Sequence, residues 1–191
     1  KTYNPKYQKK NAKLTLTVFA IRAVQKALEA FPQFNMSYNS ETNEIIKKQY
    51  FHLGIAVDTP HGLIVPVIRD VDKKSLLELS LELAEIAQKA KDRTLAVEEL
   101  QGGTFTISNL GGLGVGAFTP IINTPEVAIL GMGGGEFKPV LDKKKNVSYR
   151  LKMPVCLSYD HRVIDGADGA RFVMQIKQEF EGFAESELKE I

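Results

Sequence analysis

The run from Tyr50 to Asp58 alternates residue by residue, with Phe51, Leu53, Ile55 and Val57 to one side and His52, Gly54, Ala56 and Asp58 to the other. A period of two is the signature of a strand, so the chain must build a sheet around it. The turn Thr59-Pro60-His61-Gly62 leads into a second β-rich run over residues 63–68. Its Pro66 lacks a ladder donor and argues for an edge or a bulge. Further strands are expected over 104–108, 127–131 and 153–159. Between the last two, Lys143-Lys144-Lys145-Asn146 reads as a solvated hairpin tip rather than a docking patch for an acidic partner.

Helical spacing appears three times. Over 14–31, Leu16, Ala20, Ala23, Val24, Ala27, Leu28 and Phe31 recur on one face, with Thr15 as N-cap and Pro32 as the stop. Ser75-Leu76-Leu77-Glu78 is a capping box that opens a helix running to about Lys91, with an apolar face of Leu76, Leu79, Leu83, Ile86, Ala87 and Ala90. A last helix is expected over 165–180, ended by Gly182. Several strands and three helices that do not strictly alternate imply a mixed α/β layer protein rather than a doubly wound one.

At 191 residues, 43% hydrophobic and 25% charged, the chain fits one soluble domain over 1–191. Its formal net charge of +2 gives no electrostatic case for nucleic acid or for a membrane surface, and no stretch approaches the roughly 20 apolar residues of a span. The lone Cys156 sits in an apolar run and fits a reducing, cytoplasmic compartment. The opening Lys1-Thr2-Tyr3-Asn4-Pro5 is a polar loop that reads as the middle of something longer.

Three histidines can be weighed for chemistry. His52 lies mid-strand and reads as structural; His61 lies in a turn and reads as solvent-facing. His161 follows an apolar strand and precedes a glycine-bearing turn into a helix, a geometry that fixes an imidazole at a strand end. No His-Glu-x-x-His or cysteine pair suggests a metal. The glycine-rich runs 111–116 and 131–135 fit neither a dinucleotide fingerprint nor a phosphate loop. They are either tight turns or places where backbone approaches an extended ligand. Ser108 lacks the flanking glycines of a nucleophile elbow, but a hydroxyl at a strand end can donate to an oxyanion.

The run Asp160-His161-Arg162-Val163-Ile164-Asp165-Gly166 resembles the His-x-x-x-Asp-Gly signature of the E2 dihydrolipoamide acyltransferases of 2-oxo acid dehydrogenase complexes. Chloramphenicol acetyltransferases share that signature. Residues 54–60, 62–68, 102–111 and 120–123 are similar to further blocks of the same catalytic domain, so the resemblance covers nearly the whole chain. It implies a chloramphenicol acetyltransferase-like two-layer sandwich, a mixed β-sheet packed by helices. The lipoyl and subunit-binding domains and the first part of the catalytic domain are expected to be missing.

The resemblance also implies a reaction, the transfer of an acyl group between a dihydrolipoyl arm and coenzyme A. His161 would be the general base, Ser108 the oxyanion donor, and Asp165 the holder of the turn or an N-cap. Asp58, Asn109 and Gly133 would line the coenzyme A and lipoyl channel. The lipoyl group would come on a separate domain, coenzyme A would be the co-substrate, and no metal is expected. Copies would form homotrimers with the active site between subunits, one giving the histidine and its neighbour the serine. Trimers would build a hollow cubic or icosahedral core that meets the E1 and E3 components through the missing domains. Two other readings stay open: a free-standing acetyltransferase of the chloramphenicol type, and a non-catalytic core subunit.

Overall fold

The computed structural model describes residues 4–183. The chain opens with α1 (Asn4–Gln8) and α2 (Leu16–Ala30), followed by a hairpin of β1 (Met36–Asn39) and β2 (Glu44–Lys47). Next come β3 (Leu53–Thr59), β4 (Gly62–Ile64), β5 (Val67–Ile68), α3 (Leu76–Asp92) and β6 (Phe105–Asn109). The second half holds β7 (Ala128–Met132), β8 (Glu136–Leu141), β9 (Val147–Lys152), β10 (Val155–Tyr159) and α4 (Gly166–Glu181).

The central sheet has the order β10-β7-β6-β3-β4, with β5 also paired to β3. β3 and β6 run parallel, as do β6 and β7; β10 returns antiparallel beside β7. The run expected over 63–68 breaks into two short strands because Pro66 has no N–H to give, though its carbonyl accepts from Ile55 at 2.9 Å.

The two faces of this sheet differ. Leu53, Ile55, Phe105, Ile107, Ala128, Leu130 and Met132 point to one side and join the core with residues of α2, α3 and α4. Phe172 of α4 stacks on Phe34 with ring centroids 3.9 Å apart and meets Phe105 at 5.7 Å. Burying each such ring is worth about 1.5–3 kcal/mol. On the opposite face the register lines up Ala56, Ser108, Gly131 and Cys156 in one row, and Gly54, Thr106, Ile129 and Ser158 in the next. That side is narrow and polar. A Cβ on Gly131 would strike the Phe118 ring at 2.9 Å, so the 118–120 segment rests on bare backbone there.

The helices start and stop where the local chemistry demands. Thr15 Oγ1 accepts from the Val18 amide, Ser75 and Glu78 form the complete capping box, and the Gly182 amide closes α4 on Gln178. Leu16, placed on the apolar face by its spacing, is 56% exposed, because it is the first residue of α2 and lies outside the packed turns.

Hairpin β8–β9 stands apart. Its register pairs Phe137 with Leu151, Pro139 with Tyr149, and Leu141 with Val147, which gathers six apolar side chains on one face. Phe137, Leu141, Val147, Tyr149 and Leu151 are each at least 61% exposed. At its tip Asp142 accepts amides from Lys144 and Asn146, and Lys145 takes a positive φ of 62°, as a solvated turn requires.

Candidate active site

His161 sits two residues past the end of β10, on a turn tied down at both sides. The Asp160 amide donates to Val127 O at 2.8 Å, the Val163 and Ile164 amides both return to Asp160 O at 3.0 Å, and the Ile164 side chain is buried in the core. The Asp160 carboxylate accepts the Arg162 amide and grips its guanidinium twice, Nε to Oδ1 at 2.9 Å and Nη2 to Oδ2 at 2.6 Å. That grip holds the Asp160 carboxyl below the usual carboxylate range. The guanidinium in turn lies 4.1 Å over the Tyr38 ring, which joins the turn to β1. The imidazole is left exposed, tilted against Tyr159 with ring centroids 5.7 Å apart. Among the described residues no hydrogen bond reaches it.

Asp165 is the N-cap residue of α4 by position, with its carbonyl accepting the Gly169 amide, but its carboxylate makes no capping bond and is exposed.

Ser108 lies near the far end of β6, on the narrow polar face. Its neighbours along the register are Ala56 and Gly131. With Ala56, Asp58, Asn109, Leu110 and Gly112 it lines a cavity of about 320 Å³ that Leu63 and Leu113 border, both more than two-thirds exposed. Its hydroxyl is half-buried and, among the described residues, has no hydrogen-bond partner. Asn109 also faces this cavity, yet both ends of its amide are committed: Nδ2 donates to Thr17 Oγ1 and Oδ1 accepts the Gly111 amide, each at 3.0 Å. Gly133 is buried under the glycine loop, where a Cβ would meet Gly116 O at 2.1 Å. Its bare backbone lets the chain's own loop approach, closed by Gly134 N to Val115 O at 2.7 Å.

Three of the residues expected from sequence therefore meet in one cavity, while His161 does not join them. Cys156 of β10 is level with Ser108, and His161 is five residues further along. The three strand steps to Tyr159 cover about 10 Å at roughly 3.4 Å per residue, before the turn and the two intervening strand spacings are added. One copy of the chain offers the histidine at one end of its sheet and the serine at the other.

Two of the histidines lie away from the candidate site, and His52 precedes β3 rather than lying mid-strand. His52 is buried, and its Nδ1 accepts the Asp70 amide at 3.0 Å; His61 is exposed in its turn. Among the described residues no group of three or more His, Cys, Asp or Glu is placed to hold a metal ion. Sequence reasoning missed Glu126, a carboxylate only 6% exposed just before β7. Its signal was faint: one acid in the Thr124-Pro125-Glu126 turn, directly ahead of a buried apolar run.

Comparison with known proteins agrees with this architecture. Residues 1–187 match the family described as 2-oxoacid dehydrogenases acyltransferase (catalytic domain). The dihydrolipoyllysine-residue acetyltransferase component of the pyruvate dehydrogenase complex of Haemophilus influenzae is 52% identical over 166 residues, covering 87% of this chain and 29% of that protein. The chain thus spans under a third of the length of that curated relative. A solved structure of Azotobacter vinelandii dihydrolipoamide acetyltransferase, made to examine a serine, a histidine and an asparagine in its catalytic mechanism, superposes with a TM-score of 0.91 at 44% identity. It covers 98% of this chain and 76% of that one. The cubic core of a pyruvate dehydrogenase multienzyme complex gives the same score, identity and coverage. A chloramphenicol acetyltransferase, 14% identical with a TM-score of 0.58 over 93% of this chain and 82% of that one, shares the fold. On the family match and the identity to these relatives, the chain belongs to the 2-oxoacid dehydrogenase acyltransferase catalytic-domain family.

Proposed function

We propose that the chain transfers an acyl group between a dihydrolipoyl arm and coenzyme A, exchanging one thioester for another, and that its active site forms between two copies. The observation that carries this reading is the turn that presents His161: anchored on both sides, with the imidazole itself open. A free thiol has a pKa of about 8.5 and is mostly protonated at neutral pH, whereas an imidazole near 6.5 is matched to taking that proton as sulfur attacks. His161 is the base. Attack on the thioester carbonyl makes a tetrahedral oxyanion, and the unengaged hydroxyl of Ser108 donates to it. The cavity of about 320 Å³ beside Ser108 receives the reacting end of the thioester, with Asp58 at its wall. Asn109 and Gly133 serve that site by holding its loop in place.

The placement of His161 and Ser108 toward opposite ends of the sheet, two strand spacings apart, favours a site completed by a neighbouring copy. So does the exposed apolar face of β8–β9, which is suited to contact between copies. A homotrimer within a larger core fits both, and the relative whose core is cubic supports it. In the Azotobacter vinelandii enzyme the histidine and the asparagine are four residues apart, as His161 and Asp165 are here. By that spacing we pair Asp165 with the asparagine, a carboxylate in place of a carboxamide, and assign it to steadying the turn. The one cysteine fits a reducing, cytoplasmic setting.

Mixing two inactive variants tests the proposal. His161→Ala and Ser108→Ala chains, unfolded together and reassembled, should regain coenzyme A-dependent transacylation at about one site in four, by random pairing across a symmetric interface. No recovery from a well-assembled mixture would refute a shared site, because a site within one chain cannot be complemented.

A further inference from the structure

Glu126 is a buried acid that the chemistry above does not use. Its Oε2 accepts a 2.6 Å bond from Thr106 Oγ1, and its Oε1 a 3.5 Å bond from Asn123 Nδ2. A Cβ on Gly103 would strike Oε1 at 2.6 Å, so that glycine makes room for the carboxyl. From this seat Glu126 adjoins what holds the His161 turn. Its backbone bridges to Ser37 of β1, and the next residue, Val127, accepts the Asp160 amide. Glu126 also lines one cavity of about 530 Å³ together with Asp160 and Arg162.

The charges around it decide what its ionisation does. Into the same cavity face Asp160 and Arg162 from the turn after β10, Tyr38 from β1, Glu41 from the β1–β2 turn, and Lys48 after β2. Thr106 and Asn123, which bind the carboxyl directly, are neutral. Burial pushes the Glu126 carboxyl up to about 7, against the opposing pull of those two donors. Once ionised, the buried carboxylate needs a cation. Two cations line this cavity, Lys48 and Arg162, and Arg162 is the one tied to the His161 turn, through Asp160.

We propose that Glu126 is a positioning residue for His161: as the neutral acid it leaves Arg162 clamped on Asp160 and the turn closed, and as the carboxylate it competes for Arg162 and loosens the turn. The inference rests on His161 being the base. Activity then falls as Glu126 loses its proton. Glutamine keeps an oxygen for Thr106 and stays neutral at every pH.

The test compares the assembled enzyme and its Glu126→Gln variant between pH 6 and 9, following kcat and the hydrogen exchange of amides 160–164 against those of β7. In the wild type, kcat should fall several-fold above neutrality while the turn amides lose protection faster than β7 does. In Glu126→Gln both changes should vanish, with kcat at the acid end retained. A falling limb and exchange profile unchanged by the substitution would overturn the proposal. Should the variant not fold, a carbon NMR titration of Glu126 in the wild type replaces it: ionisation without any change in the exchange of 160–164 would overturn the proposal, and ionisation together with loosening of those amides would support it. Exchange is read without turnover, so a fully active His161→Ala enzyme would sink the assignment of the base while leaving the test of Glu126 intact.

Discussion

The two ends of the central sheet fix a reactive side chain in different ways. At the Ser108 end, backbone fits against backbone: Gly133 lies under Gly116, Gly134 bonds Val115, and the Asn109 amide ties β6 to Thr17 of α2 and to Gly111. At the His161 end the ties are charged. Asp160 and Arg162 clamp one another over Tyr38, and a buried Glu126 lies in the wall of the same cavity. Contacts of the first kind are indifferent to pH, and those of the second answer to it. A site assembled from both ends should therefore take its pH response from the histidine side.

The largest expected effect is at His161. Alanine there should lower kcat by about 10²–10⁴-fold, the usual size of general-base loss, in a transacylation assay with matched substrate pairs. Ser108→Ala should come next, at about 10²–10³-fold in kcat, with KM nearly unchanged because the donor acts on the oxyanion. If Ser108→Ala instead raised KM alone, the serine end would be a binding surface and the contrast between the ends would need redrawing.

Stability should separate the ends as well. The folded state raises the Glu126 carboxyl from 4.5 to about 7, so it binds that proton more tightly than the unfolded chain does. Stability is lost as pH climbs through this window, and the penalty is complete above it. Glu126→Gln should thus be more stable than wild type at pH 8, by up to roughly 3 kcal/mol in urea unfolding, and equal to it below pH 4. Asn109→Ala should cost about 1 kcal/mol for its lost hydrogen bonds, by the same amount at pH 6 and pH 8. An Asn109→Ala penalty that changed with pH would break the distinction.

Much of this was legible in the residues. Thr15, Ser75 and Gly182 mark the helix ends because capping is local chemistry, and the tip at Asn146 follows from turn residues alone. The β1–β2 hairpin escaped notice: β2 is wholly exposed, so no buried face imposes a pattern, and its turn depends on a positive φ at Asn43. The parallel pairing of β6 with β3 and with β7 is a tertiary choice that alternation cannot encode. The candidate site was half readable. Motif resemblance pointed to Ser108 and His161, but their distance apart follows only from strand order. Glu126 looked like an ordinary turn carboxylate until the fold closed over it.

The apolar ribbon of β8–β9 bears on how the protein must be made. Its strands lie within residues 136–152, so the ribbon closes as a local event, whereas β3 must find β6 across about fifty residues, from Leu53 to Phe105. The greasy ribbon is therefore free to pair before the centre of the sheet is complete. Dilute, slow refolding protects each chain while its sheet closes, and crowding the reaction joins unfinished chains through their ribbons, so the yield of active enzyme should fall as refolding concentration rises.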